Sequence, residues 1–280
     1  MATRSVKRVD QPTSSAASRT LPNRFTGKVA IVTGASNRGI GGAIAERLAR
    51  EGAVVVAASL HEPTRLLSRL DEAKLTCSWS QCDVTKPDQV TRTIDAVVEE
   101  MGRLDVVINN AGYDVAGPFS RLTDAQWQHI LEVNLSGVMH VSRAALPQLE
   151  IWRGVIVNIT SASGLGGTPG LAAYSAAKAG VDGLTRSLAV EYASKSVRVV
   201  GVAPALVKTP MSARYAASMT TKVWDKLVDC HPLGIGATQD VASTVAFLAS
   251  NEARWISGIT IPLGWMPSYP LPFDAYVDGP

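Results

Sequence analysis

Thr33-Gly34-Ala35-Ser36-Asn37-Arg38-Gly39-Ile40-Gly41 is the stretch on which the reading of this chain turns. It follows the apolar run Val29–Thr33 and leads into Ile40–Glu51, whose apolar residues recur at helical spacing, so a strand passes through a glycine turn into a helix. Such a turn aims backbone N–H groups and a helix N-terminus at one point, which makes an anion site. Glycine is needed where a side chain would block the turn, the approach of a pyrophosphate or the packing of helix on strand. Gly34, Gly39 and Gly41 stand in that order. Their spacing, Gly-x-x-x-Gly-x-Gly, differs from the commoner G-x-G-x-x-G.

Outward from this turn the pattern repeats. Short Val/Ile-rich runs at Val54–Ala58, Thr76–Gln81, Val106–Asn109, Val155–Ile159, Val197–Val202 and Ile259–Leu263 alternate with amphipathic segments near Asp88–Met101, Asp124–Leu149, Ala173–Tyr192 and Gln239–Ser250. Strands alternating with helices of crossover length predict an α/β fold: a single doubly wound domain with a seven-stranded, mostly parallel sheet and helices on both faces. Ligands of such sheets bind beyond the carboxyl ends of the strands. The connection from about residue 204 to 236 is too long for an ordinary loop, carries a helix-like segment around Met211–Val228, and is expected to be a substrate lid.

Neither end of the chain fits this pattern. Residues 1–25 are rich in Ser, Thr and Arg, carry Asp10 as their only acid and show no apolar period, which predicts a disordered extension before a catalytic domain spanning 26–264. Their composition is not that of a secretory signal. Residues 265–280 form a tail in which proline excludes a regular helix or central strand.

Composition excludes several functions. The net charge of +3 is small and the basic residues are scattered, so no nucleic-acid partner is expected. No apolar run approaches the roughly 18–20 residues of a membrane span. Cys77, Cys82 and Cys230 lack paired metal-type spacing and read as small buried thiols in a reducing, cytoplasmic setting. His61, His129, His140 and His231 are scattered and have no helix-spaced partner, so no metal centre is expected. Ser161 lies in no Gly-x-Ser-x-Gly elbow, which argues against a serine hydrolase.

The glycine turn preceded by Thr33, the segment Asn109-Asn110-Ala111-Gly112 after the fourth run, and Asn134 in Val133-Asn134-Leu135-Ser136-Gly137 share one further property with two later motifs. Ser161 after the fifth run, and Tyr174 with Lys178 in Tyr174-Ser175-Ala176-Ala177-Lys178, complete a series in a fixed order. In that order and spacing the chain resembles the short-chain dehydrogenase/reductase family over roughly Gly27 to Leu263. The resemblance implies a Rossmann fold and an oxidoreductase that interconverts an alcohol and a carbonyl with a nicotinamide cofactor, of the carbonyl or 3-oxoacyl reductase kind. It also implies assembly through the long helices, as a homotetramer or homodimer.

The resemblance implies a catalytic set of Asn134, Ser161, Tyr174 and Lys178. Free tyrosine is too weak an acid to protonate an alkoxide well at neutral pH. Lys178, four residues on and on the same helix face, would lower its pKa through charge. By resemblance Lys178 also holds the nicotinamide ribose, Ser161 orients the substrate oxygen, and Asn134 holds a water in a proton relay. Ser163 is an alternative to Ser161 whose spacing to Tyr174 fits less well.

The cofactor set on the same footing is Gly34, Ser36, Asn37, Arg38, Gly39, Ile40, Gly41, Ser59, Asp83, Val84, Asn110, Ala111, Gly112, Tyr174, Lys178, Pro204, Val207 and Thr209. At the end of the second strand, where an NAD enzyme needs an acid for the ribose hydroxyls, stands Ser59. A serine can donate to a 2′-phosphate and Arg38 can supply charge, so NADP(H) is expected over NAD(H). Leu60-His61-Glu62 lacks the second arginine common in the family. The family's Pro-Gly is Pro204-Ala205 here, and its closing Asp-Gly-Gly is replaced by Leu263-Gly264-Trp265. Tyr113, Leu165 and Trp224 are expected near a small-molecule substrate. An NAD-linked alcohol dehydrogenase of the same family and a nucleotide-binding relative without turnover are the alternatives.

Overall fold

The computed structural model describes residues 23–264 except Met219. The extension and the tail expected at 1–22 and 265–280 lie outside the described residues. Residues 23–25 do not share the expected disorder. Phe25 is sealed in the core at 1 % exposure, and Arg24 binds the buried Glu51 carboxylate at 2.9 Å, so ordered chain starts before the boundary drawn from composition.

Seven strands form one sheet in the order β3-β2-β1-β4-β5-β6-β7, and every neighbouring pair is parallel. They are β1 (Val29–Thr33), β2 (Val54–Ser59), β3 (Cys77–Gln81), β4 (Val106–Asn109), β5 (Val155–Ile159), β6 (Arg198–Pro204) and β7 (Thr260–Leu263). The parallel pairing follows from the crossovers, each of which returns the chain to the same end of the sheet. Strand order reverses between β1 and β4, so the crevice of a doubly wound sheet opens beside the glycine turn.

Both faces of the sheet are covered, as its sequence demands, because β1, β4 and β5 are apolar at successive positions. Ala30 and Val32 point to one core with α1 (Ile40–Arg50), α2 (Thr64–Glu72) and α10 (Thr238–Ala249). Val29 and Ile31 point to the other, with α3 (Pro87–Met101), α5 (Gly137–Trp152) and α7 (Ala172–Glu191). Fully buried residues such as Ile31, Leu48, Ile108 and Leu149 each stabilise the fold by about 1.5–3 kcal/mol.

Several elements differ from the sequence expectation. The segment Asp124–Leu149, read as one helix, is α4 (Asp124–Leu131), a π turn over Glu132–Ser136, and α5. The helix-like segment at Met211–Val228 is two helices, α8 (Pro210–Ser218) and α9 (Thr221–Asp229). The short helices α2 and α6 (Ala162–Gly166) were not expected. Among the described residues, no helix is long and apolar enough to cross a membrane.

Candidate active site

Thr33 fixes the floor of the site. At the end of β1 its hydroxyl donates to the Ile108 carbonyl at 3.2 Å and accepts from the N–H groups of Asn110 and Ala111 at 3.0 and 3.1 Å. The Asn110 amide answers by donating to the carbonyls of Thr33 and Gly34 at 2.9 and 3.1 Å. The approach is close enough to require glycine: Gly34 has φ +65°, and a Cβ there would stand 2.6 Å from Ala111 Cα. A Cβ on Gly41 would stand 2.4 Å from the Asn110 amide nitrogen. Helix α1 follows Gly39 at its N-cap with no side chain capping its first turn, which leaves orphan N–H groups beside the cavity. That is a cradle suited to a phosphate, so these residues fit the nucleotide implied by the sequence.

One cavity of about 630 Å³ runs from this turn to the ends of β4, β5 and β6. It has room for a cofactor-sized ligand. Of the expected catalytic and cofactor-binding residues, all but Asn37, Arg38 and Asn134 line it. Asn37 accepts the Leu66 N–H at 3.0 Å and so pins the first turn of α2. Arg38 is exposed and outside the cavity wall. Ser59 lines the wall, but its proton goes to the His61 carbonyl at 2.9 Å and its oxygen accepts the Trp79 indole N–H at 3.1 Å. Asp83 accepts from the Thr85 amide and hydroxyl at 2.9 and 2.7 Å. Thr209 caps α8 by accepting the Ser212 N–H at 3.1 Å.

Tyr174 and Lys178 project from one face of α7 toward the end of β5. Lys178 is 2 % exposed, its Nζ donates to the Ile159 carbonyl at 2.8 Å, and it stands 5.5 Å from the centre of the Tyr174 ring. Burial pulls the Lys178 ammonium down to about 8. Burial pushes the Tyr174 phenol well above its ordinary value, the charge of Asp114 adds to this, and a hydrogen bond with Ser161 opposes it. Ser161 also caps α6, accepting the Ser163 N–H at 3.1 Å. Ser163 itself accepts from the Thr168 hydroxyl at 2.7 Å, a bond that braces the loop.

Asn134 sits in the π turn, fully buried behind the cavity wall. Its amide donates to the Ile130 and Tyr113 carbonyls at 2.9 and 2.6 Å and accepts the Tyr113 N–H at 3.3 Å. It thereby locks the loop that follows Gly112.

The cavity is further lined by Tyr113, His129, Leu171, Met211, Arg214 and Tyr215. Leu165 and Trp224, expected there, do not line it. His231 lines it too: its Nε2 accepts the Leu206 N–H at 3.1 Å and its Nδ1 meets the Leu227 carbonyl at 2.7 Å. These two bonds tie the loop after β6 to α9. Nothing in residue type or spacing marks Arg214, Met211 or Leu171, which reach the site only through tertiary packing. Cys82 also lines the wall, and burial raises its thiol.

The model of the family described as enoyl-(acyl carrier protein) reductase matches residues 34–263. The chain is 38% identical over 243 residues to the meso-2,3-butanediol dehydrogenase of Serratia marcescens, covering 86% of this chain and 94% of that one. The chain belongs to the short-chain dehydrogenase/reductase family. A 3-oxoacyl-[acyl-carrier-protein] reductase FabG of Thermotoga maritima is another such relative, 35% identical over 242 residues, with 85% of this chain and 96% of that one covered. A crystal structure of a short-chain dehydrogenase/reductase from Burkholderia xenovorans superposes with a TM-score of 0.84 at 36% identity, covering 88% of this chain and 98% of that chain. As a short-chain dehydrogenase/reductase, this chain is an oxidoreductase of ketoreductase-like type, and the parallel sheet is the Rossmann fold of that family.

Proposed function

We propose that this oxidoreductase reduces a ketone or aldehyde with NADP(H), and runs the reverse oxidation with the same groups. The observation that supports it best is the meeting of Ser161, Tyr174 and Lys178 in the cavity that begins at the glycine turn. A bound reduced nicotinamide supplies the hydride to the carbonyl carbon. Ser161 donates a hydrogen bond to the carbonyl oxygen, which polarises it. Tyr174 then gives its proton to the oxygen as negative charge develops there, and is reprotonated from solvent. Lys178 steadies the resulting tyrosinate by charge, and Asn134 holds the loop against which the substrate lies.

The substrate class proposed is a carbonyl or 3-oxoacyl compound, since Leu171 and Met211 give the cavity an apolar side and relatives of both kinds are similar in sequence. Segment 204–236 is read as the lid over it. Exposed Val190, Trp255 and Ile259 supply apolar area for assembly as a homotetramer or homodimer. Three cysteines, none of them in a disulfide, suit a cytoplasmic location.

A second reading, NAD(H) as the cofactor, has an observation in its favour. The Ser59 proton is committed to the His61 carbonyl, and Arg38 stands outside the cavity wall. Titration of the protein with NADPH and with NADH by nucleotide fluorescence, in wild type and in Arg38→Ala, separates the two. Tighter NADPH binding that is lost in the variant supports NADP(H), whereas equal or tighter NADH binding overturns it. Binding without turnover of any ketone in a panel would instead point to a relative that has lost catalysis.

A further inference from the structure

Asp114 follows the Asn110-Ala111-Gly112 segment by two residues, and its carboxylate is only 3 % exposed. Its Oδ2 has no hydrogen-bond partner among the described residues. Its Oδ1 faces Nη2 of Arg214 on α8 at 3.8 Å, too long for a hydrogen bond. Asp105, equally buried, shows what a structural aspartate receives here: bonds from Lys28, Arg103 and the Val29 N–H. A buried carboxylate without such partners is costly to keep, so packing alone gives no account of Asp114.

Its place in the fold is fixed from outside. Asn134 holds both the N–H and the carbonyl of Tyr113, which sets the backbone immediately before Asp114. Val115, immediately after it, packs with Trp127, Leu135 and Tyr174 around Ile130 and Ala177. The Asp114 backbone is therefore held between a residue clamped by Asn134 and a residue packed into the cluster to which Tyr174 belongs. Arg214, 68 % exposed, lines the cavity and is the cation facing the carboxylate.

We propose that Asp114 is a positioning residue for Tyr174: its carboxylate holds the phenolic proton on while unpaired, and pairing with Arg214 of α8 eases that proton's release. The inference rests on the reading of Tyr174 as proton donor. An anion beside a phenol disfavours the tyrosinate, and a cation drawn onto that anion cancels the effect. Other charged or titratable groups on the wall of the same cavity include Lys178 on α7, His129 beside Glu132, Tyr113, Tyr215 on α8, His61, Cys82, Asp83 and His231. Burial raises the proton affinity of Asp114, while the charge of Arg214 lowers it.

The test is a tyrosinate difference-absorbance titration of the whole protein, with Tyr174→Phe as the blank, alongside the pH profile of carbonyl reduction at saturating cofactor. Asp114→Asn is expected to lower the Tyr174 midpoint by about one pH unit or more, and to bring the alkaline fall in turnover down with it. Asp114→Ser, which removes the same charge, shifts both in the same direction. Arg214→Gln shifts the alkaline fall the opposite way. The proposal is overturned if folded Asp114→Asn and Asp114→Ser leave the Tyr174 titration where wild type has it, or if Arg214→Gln moves the profile as the Asp114 variants do. If the titration moves while Tyr174→Phe keeps full turnover, the coupling between Asp114 and Tyr174 stands and the role of Tyr174 as proton donor is what fails.

Discussion

Lys178 Nζ is bonded to the backbone carbonyl of Ile159 at 2.8 Å, while Tyr174 presents it only a ring whose centre is 5.5 Å away. The lysine is thus anchored to the end of β5 and reaches Tyr174 through space. Its ammonium is also buried, which draws it down to about 8 from 10.5.

That burial predicts a gain in stability on removing the charge. Because the folded protein holds this proton less tightly than the unfolded chain, Lys178 weakens the fold most below pH 8, and the penalty fades as pH rises from 8 to 10.5. Lys178→Met should raise unfolding free energy at neutral pH by about 1–2 kcal/mol, after allowing for the lost bond to Ile159. Urea denaturation at neutral and alkaline pH measures it. A variant less stable than wild type at pH 7, or a gain that does not shrink in alkali, would contradict the buried-charge account.

Tyr174→Phe removes one hydroxyl and little volume. Turnover should fall by about 10²–10⁴-fold, the usual contribution of a positioned proton donor, while nucleotide affinity stays within about threefold. Steady-state kinetics and fluorescence titration report the two separately, and near-wild-type turnover would remove Tyr174 from the chemistry.

Thr33→Val keeps the shape of the side chain but strands the N–H groups of Asn110 and Ala111. Loss of about 2–4 kcal/mol is expected, with weaker nucleotide binding because the same segment lines the cavity. Thr33→Ser should recover most of both. Thermal unfolding of the pair of variants checks this, and equal stability of Thr33→Val and wild type would show that the hydroxyl carries no such load.

Asp105 gives the fold an acid limb. Burial alone would raise its carboxyl, but bonds from Arg103, Lys28 and the Val29 N–H outweigh it and hold the group below the ordinary carboxylate range. The resulting stabilisation is complete above the unfolded pKa near 3.9 and disappears as pH falls through the lower folded value. Asp105→Asn should cost about 1–3 kcal/mol at neutral pH and progressively less in acid. Denaturant melts of both proteins across that range would show parallel curves if the ion pairs contribute nothing.

Much of the architecture was legible because its signals are local. The apolar runs that became β1, β4 and β5 are bounded by turns, and Gly34 and Gly41 are forced by contacts with the next loop. The π turn was invisible because Glu132–Ser136 contains no helix breaker, whereas Pro147, a residue that usually breaks helices, lies inside α5. Helix α2 was missed because it offers only Leu66 and Leu70 to the core between Pro63 and Ala73. At the site, Tyr174, Lys178 and Ser161 carry motif signals, whereas Asp114 and Arg214 face each other at 3.8 Å across a long sequence separation that no spacing encodes. The bond that Ser59 accepts from the Trp79 indole across β2 and β3 is likewise a tertiary fact.

The π turn at Asn134 also separates two kinds of damage. From within this widened turn the Asn134 side chain donates to the Ile130 carbonyl, one turn back along the chain. Deleting one residue there would let α4 and α5 merge into an uninterrupted helix while removing the clamp on Tyr113. A lesion of that kind would leave a well-folded molecule with an unanchored reaction chamber, so at this place the chain's architecture can survive the loss of its work.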